Sequence, residues 1–257
     1  MSSDTWEPEQ YEKFLRERSA PFFDLLGMVR KKPGMRVADL GCGTGELTRR
    51  LHEALEPRET LGIDSSGKML EKAAEFAVKG LRFERRDIAA FAPRKPYDLL
   101  FSNAALHFLP RHEELLPRLA GYVTGDGQIA VHLPANQDHP THVTARQVAA
   151  DPPFHGALGG YHHPTNVLPV EVYATLLHKL GFREQQVRMN VYTHLLEGPE
   201  SLVEWVKGSI LNEYRSRLSP ELWEEFLASY RERLLACVPD DRPFFFTFKR
   251  VLIWGAR

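Results

Sequence analysis

The sequence predicts an α/β protein whose sheet is mostly parallel, and three observations predict it. Short apolar runs alternate with segments of helical periodicity over residues 35–133. Four of those runs end in a polar residue, at Asp39, Asp64, Asp87 and Asn103. Between the first run and the helix that follows it lies Gly41-Cys42-Gly43-Thr44-Gly45, with glycine at alternate positions. Parallel strands need crossover helices, and ligands of such sheets bind beyond the carboxyl ends of the strands, where those four polar residues converge.

The elements follow in order. From Glu9 to Arg30, Tyr11, Phe14, Leu15, Phe22, Phe23, Leu25, Leu26 and Val29 recur at helical spacing, and Pro21 is expected to divide the run into two helices. Pro33-Gly34 breaks the helix, and Met35 to Leu40 forms the first strand. The glycine loop then leads into a helix through Leu47, Leu51 and Leu55, whose start is expected to offer unpaired amides. Thr60 to Asp64 is the second strand, and Ser65 or Ser66 can cap the helix whose inner face carries Met69, Leu70, Ala73, Ala74 and Ala77. Leu81 to Arg85 and Tyr97 to Asn103 are the third and fourth strands, Leu106 to Tyr122 a helix, and Gln128 to Leu133 the fifth strand.

Beyond Pro134 the composition shifts toward Pro, His, Gly and Asn, which reads as a lid insertion over 135–169. Val170 to Leu180 returns as a helix and Phe182 to His194 as a sixth strand; helices near Glu200 to Arg217 and Pro220 to Cys237 make a second insertion over 199–238. Phe244 to Ala256 closes the sheet. The chain reads as one domain over 1–257: an N-terminal helical cover at 1–33, a cofactor-binding core at 34–134, and the two insertions. Lys249 and Arg250 read as sheet-edge charge.

Composition excludes several classes. A net charge of −1 and the absence of a Lys/Arg-rich block argue against nucleic acid and anionic membrane as partners. The two cysteines, Cys42 and Cys237, are too few for a disulfide framework, and the polar start Met1 to Glu12 has no apolar core, so a cytoplasmic protein is expected. The sequence sets no oligomeric state. The histidines His139, His142, His155, His162 and His163 lack Cys or acidic partners at metal-site spacing, so no metal is expected.

Two cofactors suit such a loop, a nicotinamide dinucleotide and S-adenosylmethionine. The dinucleotide fingerprint places its third glycine three residues after the second. Here the order is Gly41-x-Gly43-x-Gly45 behind Asp39, and a carboxylate is a poor neighbour for pyrophosphate but suits an ammonium group. Asp64 would accept from ribose hydroxyls with either cofactor, and Asp87 suits an adenine amino group with Ile88 and Met69 as apolar surfaces for the ring. S-adenosylmethionine fits better, with S-adenosylhomocysteine as its product.

The run Asp39 to Gly45, with Gly62-Ile63-Asp64-Ser65-Ser66, Met69, Asp87-Ile88 and Asn103 to His107, resembles the class I S-adenosylmethionine-dependent methyltransferases. Within them the chain is similar to the trans-aconitate 2-methyltransferase family over nearly its whole length, including Trp6-x-Pro8-x-x-Tyr11-x-x-Phe14, Glu17-Arg18-Ser19-x-Pro21, Leu133-Pro134-x-Asn136, Pro140 to Val143 and Glu204-Trp205-Val206. The resemblance implies a Rossmann-like, seven-stranded sheet with a reversed last strand and helical lid insertions. It also implies methyl transfer to a small-molecule acceptor, with a carboxylate oxygen of trans-aconitate or a similar acid in the lead. Two positions depart from that family: Leu211-Asn212 stands where a Leu-Arg pair is usual, and Phe108 where tryptophan is frequent. An arginine at 212 could clamp a carboxylate with two prongs and asparagine cannot, so an O, N or C acceptor of another kind, such as a secondary metabolite, is the alternative.

The expected cofactor-binding residues are Arg18, Asp39, Gly41, Cys42, Gly43, Asp64, Ser65, Met69, Asp87, Ile88 and Asn103. Arg18 would reach the methionine carboxylate. His107, just past the fourth strand, is the candidate catalytic residue, to orient an acceptor or take a proton. Tyr11, Asn136, Tyr161 and Asn212 are candidate acceptor contacts, whereas His132 is expected to be packed or hydrogen-bonded within the sheet.

Overall fold

The computed structural model describes residues 15–257, with side chains from residue 19 onward. Trp6, Tyr11 and Phe14 therefore lie outside the described residues, as does the side chain of Arg18.

Seven strands form one sheet: β1 (Arg36–Leu40), β2 (Glu59–Asp64), β3 (Leu81–Arg85), β4 (Tyr97–Asn103), β5 (Val123–Pro134), β6 (Glu184–Leu196) and β7 (Phe244–Ala256). Their spatial order is β3-β2-β1-β4-β5-β7-β6. The pairs β1–β2, β1–β4, β2–β3 and β4–β5 are parallel, and β7 runs antiparallel to β5. The order reverses between β1 and β4, which is the switch point where open α/β sheets bind ligands.

Two compact units make up the described chain, one of residues 16–135, 166–190 and 249–257 and the other of residues 136–165 and 191–248. In the first, register decides which side chains share a face. Val37 pairs with Leu99 and Asp39 with Phe101; Phe101 pairs with Ala130 and Asn103 with His132; Ala130 pairs with Trp254, His132 with Leu252 and Pro134 with Arg250. One face therefore carries Val37, Leu99, Phe101, Ala130, Leu252 and Trp254, which pack with Phe22 and Leu25 of α1 (Leu15–Leu26) and with Leu51 and Leu55 of α2 (Glu46–Leu55). The other face carries Ala38, Leu40, Leu100, Ile129, Val131, Val251 and Ile253. It packs with Leu115, Leu116 and Leu119 of α4 (His112–Ala120) and with Tyr173 and Leu177 of α7 (Val170–Lys179). Between these helices in the chain, α3 (Gly67–Ala73) is capped by Ser66, whose Oγ accepts from the Met69 amide at 3.2 Å.

The second unit is built from α5 (Pro140–Ala150), α6 (Phe154–Ala157), α8 (Ser201–Lys207), α9 (Ile210–Arg215) and α10 (Pro220–Ala236). Its core is aromatic, with Trp205, Tyr214, Phe226, Tyr230, Phe246 and Phe248 all buried together. Helices α5 and α10 each start with proline behind a capping side chain, His139 accepting from Thr141 and Ser219 from Leu222.

The structure corrects the element boundaries in four places. Helix α1 runs through Pro21 without a break. Burial of Phe22 and Leu25 offsets the roughly 3 kcal/mol that proline costs in a helix interior. The helix expected over Leu106 to Tyr122 is a short turn at Leu106–Phe108 followed by α4, because Pro110 holds Leu109 in an extended conformation. Strand β5 begins at Val123 rather than Gln128, with a register shift between Val123 and Gln128 where Gly125-Asp126-Gly127 lies. The helix expected over Glu200 to Arg217 is two, separated at Gly208. Arg250, expected as sheet-edge charge, is 5% exposed on β7, which has β5 on one side and β6 on the other. No helix among the described residues is long and apolar enough to cross a membrane.

Candidate active site

The glycine loop joins β1 to α2, and its three glycines have different work. All have positive φ, at 83° for Gly41, 54° for Gly43 and 81° for Gly45. A Cβ on Gly41 would stand 2.2 Å from the Cβ of Ala105, and one on Gly45 would stand 2.8 Å from that of Ala73. These two glycines let the loop pack against its neighbours. A Cβ on Gly43 would meet nothing within 4 Å, so that glycine faces open space. This is the position where main chain can approach a ligand closely.

The first amides of the loop are bonded to the neighbouring strand. The amides of Gly41 and Cys42 both donate to the Ile63 carbonyl, at 2.8 and 2.9 Å, and that of Gly43 donates to Asp64 Oδ2 at 2.9 Å. Strand β2 takes these donors because it lies beside β1 in register, so its end reaches the loop. A loop whose first amides point inward does not make an anion cradle of the kind that holds a pyrophosphate.

Carboxylates surround the loop instead. Asp39, at the end of β1, is 3% exposed; its Oδ2 accepts from Thr48 Oγ1 at 2.6 Å, and its Oδ1 is buried with no hydrogen-bond partner. Burial pushes its pKa up to about 7, against the Thr48 hydrogen bond, and Asp64 adds to the rise. Asp64 accepts from Gly43 and, through Oδ1, from the Ser66 amide at 2.9 Å; a carboxylate has further lone pairs to offer. Cys42 is buried, and burial with the two carboxylates raises its thiol pKa, so it stays a neutral wall residue. Asp87 is exposed and closes the turn Ile88–Ala90, its Oδ1 accepting from the Ala89 amide at 2.8 Å. Met69 is buried, Ile88 is half-buried against the core, and Ser65 is exposed, its carbonyl accepting from Arg85.

At the ends of β4 and β5, Asn103 Oδ1 accepts from His132 Nδ1 at 2.7 Å. His132 is fully buried, and burial, then Arg250, then His107 hold its pKa well below the ordinary value, so the ring is neutral. With Nδ1 donating, Nε2 is an acceptor, and it too is buried without a partner. The other end of the same sheet face provides a contrast. Gln128 is equally buried there, yet it bonds the Arg30 carbonyl and amide and the Trp254 indole. Unpartnered buried polar atoms thus stand at the carboxyl end of this face, where a ligand is expected.

Immediately after β4, Ala104 has φ 52°, a left-handed conformation in a residue with a side chain, and such strain concentrates at functional sites. His107 lies in the next turn, half-buried, with its ring centroid 3.9 Å from that of Phe108 and its carbonyl accepting from Asn166. Asn136, Tyr161 and Asn212 belong to the other unit. There Asn136 is buried at the start of the insertion; Tyr161 is half-buried under the Arg217 guanidinium, 4.0 Å from its ring centroid, with a pKa pushed up to about 12 by burial; and Asn212 lies within α9. The structure thus brings Asp39, Gly41, Cys42, Gly43, Asp64, Met69, Ile88, Asn103 and His107 into one unit with the switch point.

Thr48 was not anticipated from sequence. It is fully buried on α2, nine residues beyond the carboxylate it serves. Thr48→Val is expected to cost about 1–3 kcal/mol in stability, read by urea unfolding, because Asp39 Oδ2 then loses its buried donor. The same change is expected to raise the Asp39 pKa further.

Residues 31–174 match a family described as "Methyltransferase domain". The trans-aconitate 2-methyltransferase of Deinococcus radiodurans is 40% identical over 98% of this chain and 98% of its own length. The chain belongs to the methyltransferase family. Among solved structures, the Bacillus subtilis YcgJ protein superposes with a TM-score of 0.61 at 15% identity, over 92% of this chain and 97% of its own. Phosphoethanolamine N-methyltransferase 2 of Haemonchus contortus, in complex with phosphomonomethylethanolamine and S-adenosylhomocysteine, gives 0.55 at 15% identity over 92% of this chain and 52% of its own. These structural likenesses carry the fold, a class I methyltransferase sheet with its last strand reversed.

Proposed function

We propose that this methyltransferase moves a methyl group from S-adenosylmethionine to a carboxylate oxygen of trans-aconitate or a similar acid. The observation that carries the donor is the carboxylate rim beside a loop whose Gly41, Cys42 and Gly43 amides are already bonded, with Asp39 Oδ1 buried and unpartnered. The donor's ammonium suits Asp39, and its ribose hydroxyls suit Asp64. Asp87, Ile88 and Met69 suit the adenine, Gly43 gives close main-chain approach, and Gly41, Cys42, Ser65 and Asn103 complete the proposed cradle. Arg18 is proposed to reach the donor's carboxylate. The acceptor is supported by the names of relatives such as the Deinococcus radiodurans protein.

When bound, S-adenosylmethionine supplies an electrophilic methyl on a sulfonium, and S-adenosylhomocysteine remains after transfer. A carboxylate acceptor is already ionised at neutral pH, so no residue has to remove a proton. The task left to the chain is to align the acceptor and exclude water. His107 is proposed to orient the acceptor, with Tyr11, Asn136, Tyr161 and Asn212 as further contacts. Two free cysteines, one buried and one exposed, fit a reducing cytoplasm.

The test is incubation with labelled donor and trans-aconitate, followed by mass spectrometry for a labelled monomethyl ester. Appearance of the ester is the expected result. Failure to bind S-adenosylhomocysteine in calorimetry sinks the donor, whereas binding without ester formation moves the acceptor elsewhere.

A further inference from the structure

The second unit holds a cluster of titratable side chains that has no part in the scheme above. His142 and Arg146 stand four residues apart on α5, so they share one face of the helix on successive turns. His163 follows α6, and its amide donates to Tyr214 Oη of α9 at 2.8 Å. The Arg146 charge acts on His142, His163 and Tyr214, so these groups gather around the guanidinium. Tyr214 in turn packs edge-on against Tyr161, one of the proposed acceptor contacts, with ring centroids 5.6 Å apart.

Among the described residues, Arg146 is a cation without an acidic partner. Its Nη2 donates to the Gln137 carbonyl at 2.7 Å, whereas Arg217, Arg233 and Arg242 of the same unit pair with Glu213, Asp151 and Glu200. The side chain is half-buried, and the nitrogens of its fork left without a hydrogen bond are accessible rather than sealed in. Burial, then His163, His139 and Arg146, push the His142 pKa down to about 3 against an opposing pull from Asp138. Burial also lowers that of His163, and Glu213, which opposes it, is itself bonded to Arg217. Both rings are therefore neutral near pH 7, each with one N–H to offer, and His163 Nδ1 is buried with no partner. No three His, Cys, Asp or Glu side chains among the described residues are placed to hold a metal ion, so these histidines do not make a cation site. One fixed positive charge on a planar fork, with uncharged N–H donors beside it, matches a carboxylate; a dianionic phosphate would keep one charge uncompensated.

We propose that Arg146, with His142 and His163 beside it, is a carboxylate-binding site, and that the acid it holds is the methyl acceptor. The identity of that acid rests on the carboxylate-acceptor reading; the site itself does not. Acid recognition then belongs to residues of the second unit, whereas the glycine loop and the carboxylate rim proposed for the donor belong to the first. Loss of the arginine should therefore weaken the acid and spare the donor.

The test measures binding of trans-aconitate and of S-adenosylhomocysteine separately by calorimetry, with wild-type enzyme, Arg146→Met and Arg146→Lys. Arg146→Met is expected to weaken trans-aconitate binding roughly a hundredfold and to raise KM by about the same factor with kcat nearly kept, while S-adenosylhomocysteine affinity is unchanged. Arg146→Lys, which keeps charge without the fork, is expected to lose about tenfold. A second measurement uses wild-type enzyme alone: trans-aconitate is expected to protect Arg146, but not the exposed Arg231, from phenylglyoxal, read by peptide mass spectrometry. Unchanged trans-aconitate affinity in an Arg146→Met enzyme that binds S-adenosylhomocysteine overturns the site, and so does modification of Arg146 at the same rate with saturating acid. If Arg146→Met fails to bind S-adenosylhomocysteine, the protection result decides. Wild-type enzyme that does not bind trans-aconitate overturns the site and its occupant together. Wild-type enzyme that binds trans-aconitate through Arg146 but forms no ester leaves the site standing and overturns the acceptor reading, and with it the claim that the bound acid is the acceptor.

Discussion

Gly41→Ala is expected to destabilise the protein by roughly 4 kcal/mol, whereas Gly43→Ala is expected to leave it folded but poorly active. The first substitution combines two penalties. Left-handed backbone costs an alanine about 1 kcal/mol, and the new Cβ would stand 2.2 Å from the Cβ of Ala105. Neither methyl can rotate away, so the β4 end would have to shift, and it is already strained at Ala104. A loss of that size is a large part of the 5–15 kcal/mol by which domains are usually stable. Gly43→Ala carries only the backbone term of about 1 kcal/mol, because its Cβ would meet no protein atom. That methyl would instead stand where the cofactor is proposed to approach, so affinity for S-adenosylhomocysteine is expected to fall at least about tenfold. Thermal unfolding and calorimetry on both variants separate the two roles. Equal melting temperatures for the pair would mean that the loop is not wedged at Gly41 as described.

Sequence patterns made some of these distinctions legible and hid others. The strands of the cofactor-binding half stand out because buried parallel strands are short apolar runs with polar ends, so Asp39, Asp64 and Asn103 were found at the edge where they lie. Spacing could not reveal which glycines face packing and which face space, because Ala105 and Ala73 come from other elements. Nor could spacing reveal that the Gly41, Cys42 and Gly43 amides are taken by Ile63 and Asp64 on the neighbouring strand. Arg250 was misread through emphasis on charge over period. Phe244, Phe246, Phe248, Leu252 and Trp254 alternate with it as buried residues of β7, and that count of two marked it as buried too. Thr48 left no such trace, because a hydroxyl on a helix says nothing about which strand end it will meet.

Binding of S-adenosylmethionine is expected to strengthen about tenfold for each pH unit gained below pH 7 and to release a proton, and Asp39→Asn is expected to abolish both effects. Asp39 has its pKa pushed up to about 7 by burial, so near neutrality it is half-protonated. A cationic ammonium beside it favours the ionised form, so binding draws the proton off. Calorimetry in two buffers of different protonation enthalpy reads that proton directly. At pH 8 the asparagine variant is expected to bind roughly a hundredfold more weakly, having lost the charge partner. Its stability without ligand should move the other way. The folded pKa lies above the ordinary 3.8, so between about pH 4 and 7 the folded chain holds a proton that the unfolded chain has released. Wild-type stability therefore falls as pH rises through that window and levels off above it, while the variant has no such fall. At pH 8 Asp39→Asn is expected to be the more stable protein, by roughly 2 kcal/mol, and the poorer enzyme. A merely structural carboxylate would predict loss of stability together with loss of function, so opposite signs in urea unfolding and in cofactor affinity identify Asp39 as a residue kept for its ligand.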